Sequence, residues 1–324
     1  MDKIHWDTFK ICEPGLYAGL PIEAYHSDIC IGPSVSSSGL RTMLKLSPAE
    51  YWSESSLNPQ REVSEDKQSY RVGQCAHTLF LGEGKFKDQF AVQPETYDDA
   101  KTGEEKPWNG NAHVCKGWIA EQEKAGRRIL KPMDWYNVQG MAGVHPWQDC
   151  CPNSGIKNND EVRLGALDGA IERSMFWQDP STGIWLKSRP DLLPFGWNQA
   201  SDLKTTKDIR RTDTAIAEFG YDIQGALVDL GLQTLFGTSL EAFDFVFVQT
   251  KRPWPVRVVS LTPDQLSRGH QQLRKGLEVF ASCLRSGQWP AETFEAKVWT
   301  PPKWHETRVD ELLAANDTQR TEAA

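Results

Sequence analysis

Near residue 161 the apolar pattern of the chain changes character, and that change limits the folds open to it. Upstream, apolar residues recur at helical spacing: Val72, Cys75, Ala76 and Leu79 stand at i, i+3, i+4 and i+7 of a segment from Ser69 to Leu81. Ser36-Ser37-Ser38 offers N-caps for a short helix through Leu44, and Ser47-Pro48 opens another. Helical patterns also cover about 110–125 and 133–144, on either side of the short run Ile129-Leu130. Residues 1–35, punctuated by Pro14, Gly15, Gly19, Pro21 and Gly32-Pro33, read as irregular. Residues 54–68 and Thr96–Lys106 read as polar loops.

Downstream, Val162–Trp177 and Ile184–Leu193 read as strands joined by the turn Pro180-Ser181-Thr182-Gly183. Gly196-Trp197-Asn198 breaks the second strand, and Ala200–Thr205 makes a third. A long helix follows from about Thr212 to Leu235, then strands at Ala242–Val248 and Pro255–Leu261, then a helix from Pro263 to about Ser286. The order predicts an α/β domain with a mixed central sheet flanked by helices and a mostly helical N-terminal half. The expected division is a lead-in segment with short helices at 1–65, the main domain at 66–300 and a polar, frayed tail at 301–324.

Asp191 and the pair Asp202/Lys204 are the residues most able to carry chemistry. Alternation along a strand puts Asp202 and Lys204 on one face and Leu203 in the core. If the strands of 184–193 and 200–205 pair as a hairpin, Asp191 lands beside Asp202. Two carboxylates and an ammonium then converge. Such a set suits phosphodiester hydrolysis: hard oxygen ligands hold Mg²⁺, the ion polarises a phosphoryl oxygen and activates water, and the lysine orients that water. The same spacing is also met by a turn aspartate and a solvated lysine. His77, in Gly73-Gln74-Cys75-Ala76-His77, and Gln224, in Tyr221-Asp222-Ile223-Gln224, could join the set from neighbouring helices.

Composition narrows the functions. With 36 basic against 44 acidic side chains the formal charge is −8, which argues against a protein that coats nucleic acid through a basic exterior. A locally basic channel stays compatible with that total. Seven cysteines without a C-x-x-C pair, and no H-e-x-x-H motif, point away from zinc and iron–sulfur sites and toward reduced thiols. Neither a membrane-length apolar run nor a secretory signal is visible, so a cytoplasmic location is expected.

Taken together, the motifs resemble the exonuclease VIII (RecE) C-terminal nuclease family of phages and prophages, a RecB-like branch of the PD-(D/E)XK superfamily. The likeness runs from about residue 14 to 290. It passes through Pro14–Tyr17, Ala24–His26, Ser36–Leu40, Ser47–Tyr51, Gly73–His77, Leu79 to Leu81, Glu172–Ser174 and Trp177–Asp179. It continues through Thr182-Gly183, Arg189-Pro190-Asp191, Asp202–Thr206 and Tyr221–Gln224. The resemblance implies a restriction-endonuclease-like core. It implies that His77, Asp191, Asp202 and the Leu203 carbonyl ligate Mg²⁺, with Mn²⁺ able to substitute. Lys204 would position the attacking water, and Gln224 would contact substrate near the scissile phosphate. Tyr221, Lys207, Arg210 and Arg211 are expected to bind DNA, and Glu172 matches a family position of uncertain role. The chain departs from the family at Val228, where a tyrosine is common.

What the resemblance implies is a 5′→3′ exodeoxyribonuclease on linear duplex DNA, leaving 3′ single strands for phage recombination. It further implies a homo-oligomeric ring, a single-strand annealing partner and phage or prophage origin. Two alternatives remain: an endonuclease of the same superfamily, selective for structure or single strands, and an inactive DNA-binding recombination module.

Overall fold

The computed structural model describes residues 4–61, 68–82, 85–146, 150–171, 173–193 and 198–322. In chain order the first half runs β1 (Ile4–His5), β2 (Gly15–Ala18), α1 (Ile22–His26), β3 (Ser34–Ser36), α2 (Ser37–Lys45), α3 (Pro48–Glu54) and α4 (Gln68–Leu81). It continues with α5 (Phe86–Gln89), β4 (Phe90–Val92), β5 (Thr96–Asp98), β6 (Glu105–Pro107), α6 (His113–Lys124), β7 (Arg128–Leu130) and α7 (Pro132–Ala142). The second half brings β8 (Ala170–Ile171), β9 (Ser174–Gln178), β10 (Trp185–Ser188), β11 (Leu192–Leu193) and β12 (Gln199–Thr206). After these come α8 (Thr212–Phe219), α9 (Tyr221–Phe236), β13 (Ala242–Gln249), β14 (Val256–Leu261), α10 (Pro263–Ser286) and α11 (Lys303–Glu322).

Two five-stranded sheets organise the fold, in the orders β14-β13-β12-β11-β8 and β1-β2-β9-β10-β3. In the first, β12 and β13 are parallel over their whole length, from Gln199↔Ala242 to Thr206↔Gln249. Parallel neighbours need a crossover, and α8 and α9 supply it. Period-two alternation along β13 then builds two cores. Phe243, Phe245 and Phe247 meet Leu40, Ile223, Leu227, Leu273 and Phe280 on one face. Val246 and Val248 join Leu203, Cys75, Ala76, Val138 and Trp254 on the other.

Several segments differ from expectation for identifiable reasons. The supposedly irregular N-terminus forms β1–β3 of the second sheet, with Tyr17, Tyr25, Phe176 and Trp185 in a buried cluster. Thr96–Lys106 is not a plain loop: β5 and β6 pair as an antiparallel hairpin. The stretch expected as one strand at 162–177 is a helical turn at Val162–Ala166 followed by β8 and β9. The long helix expected at 212–235 is two, because Gly220 takes a left-handed conformation (φ 63°) that caps α8 and turns the chain into α9.

Residues 1–290 form one compact unit and 291–324 another. The second unit carries α11 where a frayed tail was expected. All seven cysteines are free thiols. Among the described residues no helix is long and apolar enough to cross a membrane.

Candidate active site

The site forms where one strand stops short. β11 is two residues long and pairs with β12 at Leu192↔Ser201 only, while β12 runs on to Thr206. Past Ser201, the edge of β12 on that side meets no strand among the described residues, and the Asp191 side chain takes a strand's place: its Oδ2 accepts the Leu203 N–H at 2.7 Å. Backbone N–H and C=O of one strand residue point to the same side, so the Leu203 carbonyl shares that open edge. Leu203 lines the cleft although its side chain is fully buried beneath α4. The backbone is therefore what it presents there.

Groups from both faces of the sheet converge on this edge. Asp202 is 2% exposed; its Oδ1 accepts from Gln224 Nε2 of α9 at 2.7 Å, and its Oδ2 is paired with Lys204 Nζ. His77 reaches in from α4, with Nδ1 3.4 Å from Asp191 Oδ1. Tyr221 opens α9, stacks on Phe245 at 5.2 Å and lies under the Lys204 ammonium at 4.9 Å. These groups line or back a cleft of about 1180 Å³.

The charges are mutually dependent. Burial works against the Lys204 ammonium, but Asp202 and Asp191 outweigh it and hold its pKa above the ordinary lysine value. Burial and then the neighbouring Asp191 push the Asp202 carboxyl up, against the opposing pull of Lys204 and His77. For Asp191, burial is overcome by His77, Lys204 and the Leu203 N–H, so its pKa falls. His77 is raised: burial opposes its charge, and Asp191 and Asp202 more than restore it.

A hard divalent cation prefers oxygen donors, with imidazole acceptable to Mn²⁺. Two carboxylates, one backbone carbonyl and one imidazole make such a set. The Gln224 Oε1 and Gln74 Oε1 atoms are buried in this region with no hydrogen-bond donor among the described residues, so the site holds unused acceptor capacity that hydrated metal or substrate would fill. As the side chains stand, however, no three His, Cys, Asp or Glu groups among the described residues form a metal-binding cluster. The reason is local: the Asp202 oxygens face Gln224 and Lys204, and Asp191 Oδ2 is taken by a backbone N–H. The donor types fit a cation.

Residues 154–299 match the family described as a PDDEXK-like domain of unknown function (DUF3799). A solved structure from Eubacterium rectale, described as a "Putative exonuclease", is similar with a TM-score of 0.51 at 18% identity. The similarity covers 88% of this chain and 96% of that one. The fold is that of the PD-(D/E)XK class. No curated protein matches the sequence.

Within this PD-(D/E)XK core, the structure brings His77, Asp191, Asp202, Leu203, Lys204, Tyr221 and Gln224 to one place. Val228, one turn after Gln224, also lines the cleft. Lys207, Arg210 and Arg211 do not: they lie exposed beyond the end of β12, and Arg211 sits 3.8 Å from Glu218. Glu172 lies outside the described residues. Sequence reasoning missed Arg41 and Arg128, which line the cleft with Arg189, and it read Ser36–Ser38 as a helix start and a point of family likeness without a place in the site. Nothing local in the sequence marks them, because their placement comes from β3 pairing with β10 and β7 with β4. In the lining, the cations Arg41, Arg128, Arg189 and Lys204 outnumber Glu23, Asp88 and Asp191 by one, before any charge on His77. The cleft thus escapes the negative balance of a chain carrying −8.

Proposed function

We propose that the protein is a metal-dependent deoxyribonuclease, an exonuclease that degrades linear duplex DNA 5′→3′ and leaves 3′ single strands. The observation that carries the reading is the convergence of Asp191, Asp202 and Lys204 with His77 and Gln224 on the open edge of β12. The PDDEXK-like match and the neighbour described as an exonuclease support the class. The 5′→3′ polarity, a homo-oligomeric ring, a single-strand annealing partner and a role in phage recombination follow the resemblance to the RecE nuclease family and belong to the same proposal.

His77, Asp191, Asp202 and the Leu203 carbonyl would hold Mg²⁺ or Mn²⁺. Such an ion supplies Lewis-acid polarisation of the phosphoryl oxygen and lowers the pKa of the attacking water. The protein's own groups do the rest. Lys204, kept protonated by its two carboxylate neighbours, donates to a phosphoryl oxygen and offsets charge as it grows there. Gln224, anchored to Asp202 through its amide N–H, has a free Oε1 to accept a hydrogen of the water and aim its lone pair. The water oxygen forms the new P–O bond and gives its proton to solvent, while the bond to the leaving sugar oxygen breaks and that oxygen takes a proton from solvent. Arg41, Arg128 and Arg189 along the cleft face the DNA backbone charge.

The test uses linear duplex DNA labelled separately at its 5′ and 3′ ends, beside a closed circle, with Mg²⁺, with EDTA and with Lys204→Ala protein. Early loss of the 5′ label, an intact circle and two inert controls are expected. Cutting of the circle would replace the exonuclease reading with an endonuclease. Binding without any cleavage would favour a recombination module that has lost its chemistry.

A further inference from the structure

Next to Tyr221, which lines the cleft, the corner between α8 and α9 presents a large apolar side chain to solvent. Phe219 ends α8 and is 56% exposed. Its ring is not loose. It lies 5.7 Å from the Tyr221 ring at 37°, and Tyr221 is itself stacked on the buried Phe245. An aromatic series thus runs from the sheet core, past the Lys204 ammonium, to the surface.

The backbone that carries Phe219 is clamped by two cations of α2. Arg41 donates to the Phe219 carbonyl at 3.1 Å, and Lys45 donates to the Ala217 carbonyl at 2.7 Å. Gly220, at φ 63°, admits them closely: a Cβ there would meet Lys45 Cε at 2.7 Å and Arg41 Cδ at 3.2 Å. Arg41 also stands over the Tyr221 ring at 5.5 Å and lines the cleft. A pre-positioned aromatic face with an arginine and a lysine beside it is the combination that holds unpaired bases: the ring stacks on the base and the cations meet the phosphates.

We propose that Phe219 is a stacking platform for an unpaired base of the DNA strand entering the cleft. The inference rests on the nuclease reading and deepens it: Phe219 orders the strand at the cleft mouth, while the chemistry stays with Lys204 and its neighbours. Because every base has a π-face, the contact is independent of sequence.

The test measures steady-state cleavage of oligonucleotides by wild-type protein, Phe219→Ala and Phe219→Trp, on intact substrates and on substrates with one abasic residue moved through successive positions. Loss of one stacking contact is expected to raise KM for Phe219→Ala about 10-fold, with a smaller change in kcat. Phe219→Trp should restore the wild-type KM. One abasic position should weaken wild-type binding by a similar factor and leave Phe219→Ala unaffected. A wild-type protein that cuts DNA, with Phe219→Ala matching it on every substrate, would overturn this inference alone; Phe219, with the exposed Leu46, would then be read as a protein-docking surface. A wild-type protein that neither binds nor cuts DNA would overturn both readings.

Discussion

Replacing Lys204 by methionine keeps the aliphatic stem over Tyr221 and removes only the ammonium, so the effect isolates charge. Asp202, with a side chain 3% exposed, would keep Gln224 as its hydrogen-bond donor and face Asp191 with only His77 left to offset the two charges. Removing one member of a buried ion pair costs about 3–5 kcal/mol. Lys204 is 20% exposed, so solvent already screens part of the pair and the lower end, roughly 3 kcal/mol, is expected. Adding Asp202→Asn to Lys204→Met removes the orphaned charge and should recover about 2 kcal/mol. Urea unfolding in EDTA at neutral pH reads both numbers. Activity should move the other way: the double variant is stable yet at least about 100-fold slower, since it lacks both the cation and a carboxylate. If Lys204→Met unfolds within about 1 kcal/mol of wild type, or if the double variant is no more stable than Lys204→Met, then the electrostatic account of this edge is wrong.

Two further perturbations probe buried charges that tie elements of the fold together. Buried Asp179 ties the β9–β10 turn to α10, accepting from Ser181, Thr182 and Arg274; burial opposes its charge, but these donors hold its carboxyl far below the usual carboxylate range. Asp179→Ala should cost about 2–3 kcal/mol at neutral pH. A depressed folded pKa contributes in full above the unfolded value and is lost progressively as pH falls toward the folded one, so the gap between wild type and variant in urea midpoint should narrow as pH falls below about 4 and persist at pH 7; a gap that is flat with pH would refute it. Lys187, 6% exposed, donates to the Tyr25 and Ser27 carbonyls at the end of α1, and burial pulls its pKa down to about 8. Between about pH 8 and 10.5 the unfolded chain then holds a proton the folded chain has lost, so Lys187 makes stability rise with pH by up to roughly 3 kcal/mol. Subtracting the melting curves of Lys187→Met from wild type across that window exposes the slope, and its absence would show that the ammonium stays charged in place.

How much of this was legible in the sequence depends on the range of the interaction. The alternation of Asp202, Leu203 and Lys204 is local, and so is the hairpin that sets Asp191 beside Asp202; both could be read from period two and a plausible turn. The break at Gly220 was hidden because a single glycine is tolerated inside an apolar helical pattern, and only the clamp by Arg41 and Lys45 shows why the chain turns there. The β5–β6 hairpin was hidden because its strands are polar and largely exposed, which removes the alternation that betrays a strand. The second sheet was hidden for a third reason. Its pairs Tyr17↔Ser174 and Leu186↔Val35 join segments about 150 residues apart, and none of its N-terminal strands exceeds four residues.

That second sheet decides what the N-terminal segment contributes. The parallel register Lys187↔Ser36 sets the start of α2 alongside the end of β10, and the chain leaving β10 carries Arg189, Pro190 and Asp191 directly to the edge of β12. Ser36–Ser38 and Arg41 therefore line the same cleft as Asp191, while α1, held through its last carbonyls by Lys187, supplies another part of the wall. A segment that does no more than complete a fold would leave its polar side chains to solvent on the far surface. Here three serines, one arginine and His26 line the cleft that also holds Asp191, Lys204 and Gln224. The N-terminal segment is part of the candidate site: the pairing of β3 with β10 in one sheet fixes the cleft wall, and the chain leaving β10 carries Asp191 to the edge of the other sheet, so a change in that register would displace Asp191 and Arg41 together.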